Sequence, residues 1–404
     1  MRILIAGQSY YPAANGQSIF TVNLAESMVE AGHQTLVITA SDRGHAYRAL
    51  RNGVRLEALT AIRASWWHPD SYITLWPWRQ ISRLFDEFQP DIVHIQDHYP
   101  LCRVVVSAAR KRQLPIVGTN HFLPENVTHY VPMPAWCRAS FNRLLWWAML
   151  ELYNRLDIVT IATETGVGIL RQAGIRVPTY SVSCGIDLSR FYLDPQVDRL
   201  ELRRRYGLAP DRTLFLFVGR VDQEKRLDVL LQALYRLDRD DMQLGIAGHG
   251  ARLKTLQAMA RRLNLGQRVV FTDYVPADDL TALLNSADIF AMPSEAELQS
   301  IATLEALACG RPVLAANAKA LPELVENGVN GYLFRAGDVE DAARCMARLA
   351  DQPAEWAAMG AASLERARLH SLNNSLRRFR ELYRSLLPGH ATQGAQQLSP
   401  TANQ

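Results

Sequence analysis

The chain has 404 residues, of which 48 % are apolar and 21 % charged, ordinary proportions for a soluble globular protein. They exclude a disordered, collagen-like or heptad-repeat chain, and the length predicts two or three domains, each able to bury a core without staples. The net charge of +4 falls almost wholly within residues 1–190, and an average so near neutrality argues against a nucleic-acid partner.

Short apolar runs alternate with helical patterns from end to end. The first run, 2–6, is too short for a leader and predicts a strand. Further strands are predicted at 34–39, 91–95, 116–119 and 158–162, then at 213–218, 243–247, 269–272, 289–292 and 312–316. Most are β-branched and unbroken, as in parallel strands buried on both faces. Helical stretches such as 20–31 and 226–237 lie between them, so the fold class is α/β with doubly wound parallel sheets.

The pattern restarts near Thr213, after a charged, irregular segment with Pro195 and Pro210. The expected organisation is therefore two Rossmann-like domains facing across a cleft, 1–190 and 191–371. An arginine-rich amphipathic helix, 372–387, packs back toward the first domain, and a polar tail, 388–404, has the composition of disorder. The five cysteines are scattered, with no C-x-x-C pair, which reads as reduced thiols in a cytoplasmic protein. No run of 18 apolar residues occurs, so no membrane span is expected.

The segment 291–316 is the most informative. A strand ends at Pro293, Glu295 and Glu297 follow in a loop, and Ser300 is a good N-cap for a helix closed by Gly310. The free N–H groups of such a helix make an anion site at the strand ends. Glu305 lies about 7.5 Å along that helix, roughly the step from a diphosphate to a ribose. Glu297 precedes it, where a sugar would lie. Arg220 and Lys225 follow the 213–218 strand. The Asp238-Arg239-Asp240 triplet precedes its strand and reads as a surface turn. No metal and no cofactor are expected.

Glu297 and Glu305, with seven residues between them and Ala306, Gly310 and Pro312 after, resemble the signature of retaining glycosyltransferases of family four, which have the GT-B fold. The segments 185–191, 217–231, 245–250 and 287–294 match as well. The resemblance implies a nucleoside-diphosphate sugar as donor substrate, with Glu297 on the transferred sugar, Glu305 on the ribose, and Arg220 and Lys225 on the diphosphate. It implies that Gly16 belongs to the glycine loop, whose usual Gly-Gly is here Asn15-Gly16, and that His121 faces the donor sugar. The Gly248-His249-Gly250 turn would pass near the nucleotide. The amides of Leu298, Gln299, Ser300 and Ile301 would serve the phosphates, although many members have Gly-Phe-Gly where Leu298-Gln299-Ser300 stand. A glutamine there is similar to the family's diacylglycerol glucosyltransferases. UDP-glucose and GDP-mannose are the leading donors.

Seven of the eight tryptophans lie between residues 66 and 147: Trp66, Trp67, Trp76, Trp78, Trp136, Trp146 and Trp147. Arg63, Arg79, Arg83, Arg138 and Arg143 are interleaved with them. Trp with Arg suits the surface of an anionic membrane and a lipid acceptor; the same rings could instead fill a core. The arginine clusters 43–55 and 110–112 fit an anionic substrate or the same surface. The other readings left open are a nucleotide-sugar epimerase, a sugar phosphorylase, a glycosyltransferase of a soluble metabolite, and a non-catalytic binding subunit.

Overall fold

The computed structural model describes residues 1–11, 16–64, 72–121, 123–124 and 134–387. Asn15, Trp66, Trp67 and the 388–404 tail lie outside these residues. The chain divides into two units, Met1–Ser183 with Ser375–Gln404, and Cys184–Asn374.

The first unit is built on β1 (Arg2–Gly7), α1 (Gly16–Glu30), β2 (Gln34–Ala40), β3 (Tyr47–Arg51), β4 (Val54–Leu59), a small hairpin of β5 (Ile62–Arg63) and β6 (Tyr72–Ile73), α2 (Trp78–Phe88), β7 (Ile92–Ile95), α3 (Pro100–Lys111), β8 (Ile116–Asn120), α4 (Ala135–Tyr153), β9 (Ile158–Ile161), α5 (Glu164–Ala173) and β10 (Thr179–Ser181). Its sheet runs β10-β9-β8-β7-β1-β2-β4-β3, parallel except where β3 pairs antiparallel with β4. Every residue of β1 after Arg2 is buried, because helices cover both faces.

The second unit contains α6 (Arg199–Arg205), β11 (Thr213–Val218), α7 (Leu227–Leu237), β12 (Met242–Ala247), α8 (Leu253–Arg262), β13 (Val269–Asp273), α9 (Leu280–Ser286), β14 (Ile289–Met292), α10 (Ile301–Ala308), β15 (Val313–Asn317), α11 (Leu321–Leu324), β16 (Gly331–Arg335), α12 (Val339–Ala350) and α13 (Trp356–Leu369). Its strand order is β13-β12-β11-β14-β15-β16, the dinucleotide-fold order, with a topological switch between β11 and β14. The corresponding switch in the first sheet falls between β1 and β7. At such a switch the strand-end loops diverge and leave a crevice for ligands.

The unit boundary lies at Ser183/Cys184, seven residues before the expected one at 190. The reason is local bonding: Cys184 N donates to Gln299 Oε1 (2.7 Å), Ile186 N to His370 O (2.9 Å), and Phe191 joins the second core. The final helix, α14 (Leu372–Ser385), belongs to the first unit from Ser375 onward. There Phe379 packs on Phe20 and His94, and Tyr383 on His94.

The arginines of 43–55 are not a free anion patch. Arg48 and Arg55 both pair with the buried Glu57 and with Glu87, and Arg51 pairs with Glu26. Arg43 lies over the Tyr47 ring. Of the second cluster, Arg110 pairs with Asp157 and Arg112 with Asp86. Except for Arg55 with Glu57, two residues on along β4, these partners come from other elements or loops, which is why a reading along the chain missed most of the acids. Among the described residues no helix is long and apolar enough to cross a membrane.

Candidate active site

In the second unit the site residues gather at the carboxyl end of the sheet, on the two loops that flank the β11/β14 switch. After β11 the chain turns at Gly219 (φ +149°) and presents Arg220, half exposed, between Asp222 (2.8 Å) and Glu224 (3.2 Å). A short 3-10 turn, Gln223–Lys225, then aims Lys225 at the loop after β14. Lys225 Nζ meets Glu297 Oε1 at 2.5 Å, both side chains at least five-sixths buried. Burial opposes the lysine charge, but the Glu297 carboxylate outweighs it and holds the ammonium pKa above its ordinary value. The two loops are laced together by Glu224 O, which accepts from Ser294 Oγ (3.3 Å) and Glu295 N (3.3 Å).

Helix α10 starts where the sequence places it. Ser300 caps it, its Oγ accepting from Thr303 N (3.4 Å), and the other first-turn amides have no intrahelical acceptor. Glu305 sits on this helix, and desolvation pushes its carboxyl pKa up to about 7 against the weaker pull of Arg190. Leu298 and Ile301 are half buried on the same loop and helix start. The Gln299 side chain has a structural partner. Its carbonyl oxygen is spent on the Cys184 amide, so the side chain braces the chain entering this unit.

The Gly248-His249-Gly250 turn also has a more local reason than a nucleotide. A Cβ at Gly248 would stand 1.9 Å from Gly219 O, and one at Gly250 would stand 2.4 Å from Val221 O. Val221 N donates to His249 O (2.8 Å) and Arg252 N to Val221 O (2.9 Å). The glycines let the β12 exit pack on the β11 exit, which fixes the loop carrying Arg220. The Asp238-Arg239-Asp240 triplet lies at the opposite end of the sheet, after α7 and before β12, where Asp238 pairs with Arg268 and Arg239 with Asp241 and Asp351. Among the described residues no cluster of three His, Cys, Asp or Glu side chains is arranged to hold a metal ion.

In the first unit, Gly16 opens α1 with nothing within 4 Å of where its Cβ would be. His121 follows β8, and its Nε2 lies 2.8 Å from Gln96 Oε1. Burial lowers the His121 pKa to about 3. Two residues missed by sequence reasoning complete this end of the sheet. Gln96 follows β7 and is fully buried. Asp97, also buried, accepts from Gln8 N (2.6 Å), Gln17 Nε2 (3.1 Å) and Tyr99 N (3.1 Å), tying the β1 exit to the first turns of α1 and α3. Their only sequence signal was position just after a buried strand. His94, in β7, is structural: its nitrogens meet Tyr383 OH (2.6 Å) and Thr119 Oγ1 (2.7 Å).

Residues 14–190 match the family model for Glycosyltransferase Family 4, and residues 198–366 match that for Glycosyl transferases group 1. An alpha-monoglucosyldiacylglycerol synthase of Streptococcus pneumoniae is 24 % identical over 83 % of this chain and 75 % of its own length. A GDP-mannose-dependent alpha-(1-6)-phosphatidylinositol monomannoside mannosyltransferase of Mycolicibacterium smegmatis is 36 % identical over 53 % of this chain and 58 % of its own length. Among solved structures, a sucrose-phosphate synthase from Thermosynechococcus elongatus superposes with a TM-score of 0.76 at 22 % identity, covering 95 % of this chain and 98 % of that one. Anabaena HepE in complex with UDP does so with a TM-score of 0.76 at 20 % identity, covering 95 % and 99 %. The shared fold is GT-B, two Rossmann-like domains.

Proposed function

The chain belongs to the family-four glycosyltransferases, and from that premise we propose that it moves a hexose, with retention, from a nucleoside-diphosphate sugar bound by the second unit to a lipid or lipid-linked glycan bound by the first. The observation that carries the reading is the Lys225–Glu297 pair beside Arg220, set at the strand switch with the α10 N-terminus and Glu305. In this reading the pair marks the donor's place: the diphosphate takes Lys225, and Glu297 is released to the sugar hydroxyls. Arg220, Lys225 and the first-turn amides of α10 stabilise charge on the leaving diphosphate, and Glu305 accepts from the ribose. The bond from the anomeric carbon to the phosphate oxygen breaks on the face where the acceptor oxygen bonds. The departing phosphate takes the acceptor proton. Two cations and a helix terminus suffice for this charge, so transfer proceeds without a metal.

The lipid acceptor is supported by an exposed stripe on α4. Trp136 (82 % exposed), Leu144 and Trp147 (66 %) lie along one face, at spacings that align on a helix. Arg138 and Arg143 stand beside them, and with Arg63 and Arg79 they have no ion pair among the described residues, unlike the paired arginines of 43–55. Trp76 and Trp78 are exposed as well. Large rings with unpaired cations suit the headgroup layer of an anionic bilayer, so the protein works peripherally at a cytoplasmic membrane face. Names of the two relatives above point the same way. The test supplies UDP-, GDP- and ADP-hexoses with EDTA and vesicles carrying diacylglycerol or phosphatidylinositol, and reads products by mass spectrometry. Formation of a hexosyl lipid that is lost in Trp136→Ser/Trp147→Ser vesicle binding supports the reading. A changed hexose without acceptor would mean an epimerase, and transfer only to soluble hydroxyls would remove the lipid.

A further inference from the structure

We propose that Gln96 is the positioning residue for His121, holding its ring with Nε2–H as donor so that Nδ1 is offered as a hydrogen-bond acceptor to a ligand hydroxyl. That the hydroxyl belongs to a sugar rests on the family reading above; the His121–Gln96 arrangement stands without it.

Gln96 Oε1 is an amide oxygen and only accepts, so the His121 nitrogen 2.8 Å away must carry the hydrogen. A neutral imidazole has one N–H, and burial keeps this ring neutral well below pH 6. Nδ1 is therefore a bare lone pair. The ring packs against Phe20 at a tilt (centroids 5.0 Å, planes 59° apart), and Phe379 of α14 backs Phe20 at 5.4 Å. Gln96 is fixed too, its backbone N donating to Ala6 O (2.8 Å) in continuation of the sheet.

What remains unbonded points to a ligand. Gln96 Nε2 is buried with no partner, and so are both amide atoms of Gln8, at the end of the neighbouring β1. Leaving buried polar atoms unpaired is costly, and proteins keep such sites where a ligand completes them. A hydroxyl both donates and accepts. It can donate to His121 Nδ1 or Gln8 Oε1 and accept from Gln96 Nε2 or Gln8 Nε2. A phosphate or carboxylate can only accept and would meet the Nδ1 lone pair. His94 on the same strand shows the contrast, since both its nitrogens are already bonded within the protein. His121 thus reads a hydroxyl and does not act as an acid.

The full chain labelled with 15N-histidine tests this. Ring nitrogen shifts and couplings, assigned with His121→Ala, should report the Nε2–H form of His121 throughout pH 6–8. Gln96→Met should mix the two tautomers and lower kcat about tenfold, as loss of an oriented hydrogen bond does, with donor KM little changed. Gln96→Glu, which keeps an acceptor oxygen but loses the Nε2 donor, should restore the hydrogen on Nε2. An Nδ1–H form in the unaltered protein would overturn the proposal, as would Gln96→Met leaving ring state and kcat unchanged. Should Gln96→Met fail to fold, the tautomer of the unaltered protein decides. Should no nucleotide sugar be turned over, the functional reading falls, and the ring state still decides this one.

Discussion

Desolvation on α10 pushes the Glu305 carboxyl pKa up to about 7. The folded chain therefore binds this proton more tightly than the unfolded chain does. Stability from this group is present below pH 4.5 and is lost as pH rises through 7. Glu305→Gln removes the burdened charge and should stabilise the donor-free protein by about 3 kcal/mol well above pH 7 and by nothing below pH 4.5, read from urea melts at both pH values. The same variant should bind donor more weakly, because a ribose diol can no longer meet a carboxylate. Lys225 behaves oppositely. Lys225→Ala leaves the buried Glu297 without its partner and should cost about 3 kcal/mol, whereas Lys225→Met with Glu297→Leu should recover most of it. A double variant as unstable as the single one would mean that the pair is not the electrostatic unit described. The placement of Glu297, Arg220 and Lys225 on strand-end loops and of Glu305 on α10 was legible from residue type and spacing. That Lys225 and Glu297 touch was not, since 72 residues separate them.

Loop β11–α7, carrying Arg220, is shaped by its contact with the β12 exit. Gly250→Ala would drive a Cβ to 2.4 Å from Val221 O, with backbone on both sides and nothing flexible to yield. It should cost more than about 2 kcal/mol and displace Arg220, seen as a lowered midpoint in urea together with weaker donor binding. Ser300→Ala, by comparison, removes one cap and should cost about 1 kcal/mol. The strand, loop and helix from 289 to 310 were legible because a buried run, a capping serine and Gly310 (φ +68°) each act locally. Some strands escaped notice, β4 and the edge strands β3, β10 and β16 among them. β3 reads as an arginine run because it is exposed and paired on one side only, and the short β16 carries no alternation. Gln96 and Asp97 escaped because their partners, Gln8, Gln17 and His121, arrive from other strands and helices. The Gly-His-Gly turn was readable as a turn, but its cause lay in backbone contact with a different loop.

Across the whole molecule the two units respond to pH with different signs. Burial holds His94 at about 3, His98 at about 4 and His121 at about 3, all in the first unit. Their stability is present above pH 6.5 and is lost as pH falls, because the unfolded chain takes up those protons first. At pH 5 the loss is about 2 kcal/mol apiece, partly offset by Asp97, whose pKa is raised. In the second unit Glu305 gains stability over the same fall, opposed by the lowered His370. Calorimetry at pH 5 should therefore separate the transitions, with amides of β7 and β8 exchanging before those of β11 and β14; equal shifts in both units would contradict this. The central claim is that the second unit binds a nucleoside-diphosphate sugar through Arg220, Lys225, Glu297 and Glu305. Calorimetric titration with UDP-, GDP- and ADP-sugars in EDTA tests it most directly. One nucleotide class should bind, stabilise the second-unit transition by about 2.7 kcal/mol at 100 times its Kd, and lose affinity at least tenfold in Arg220→Ala. No binding of any donor at millimolar concentration, or binding indifferent to Arg220→Ala, would contradict it.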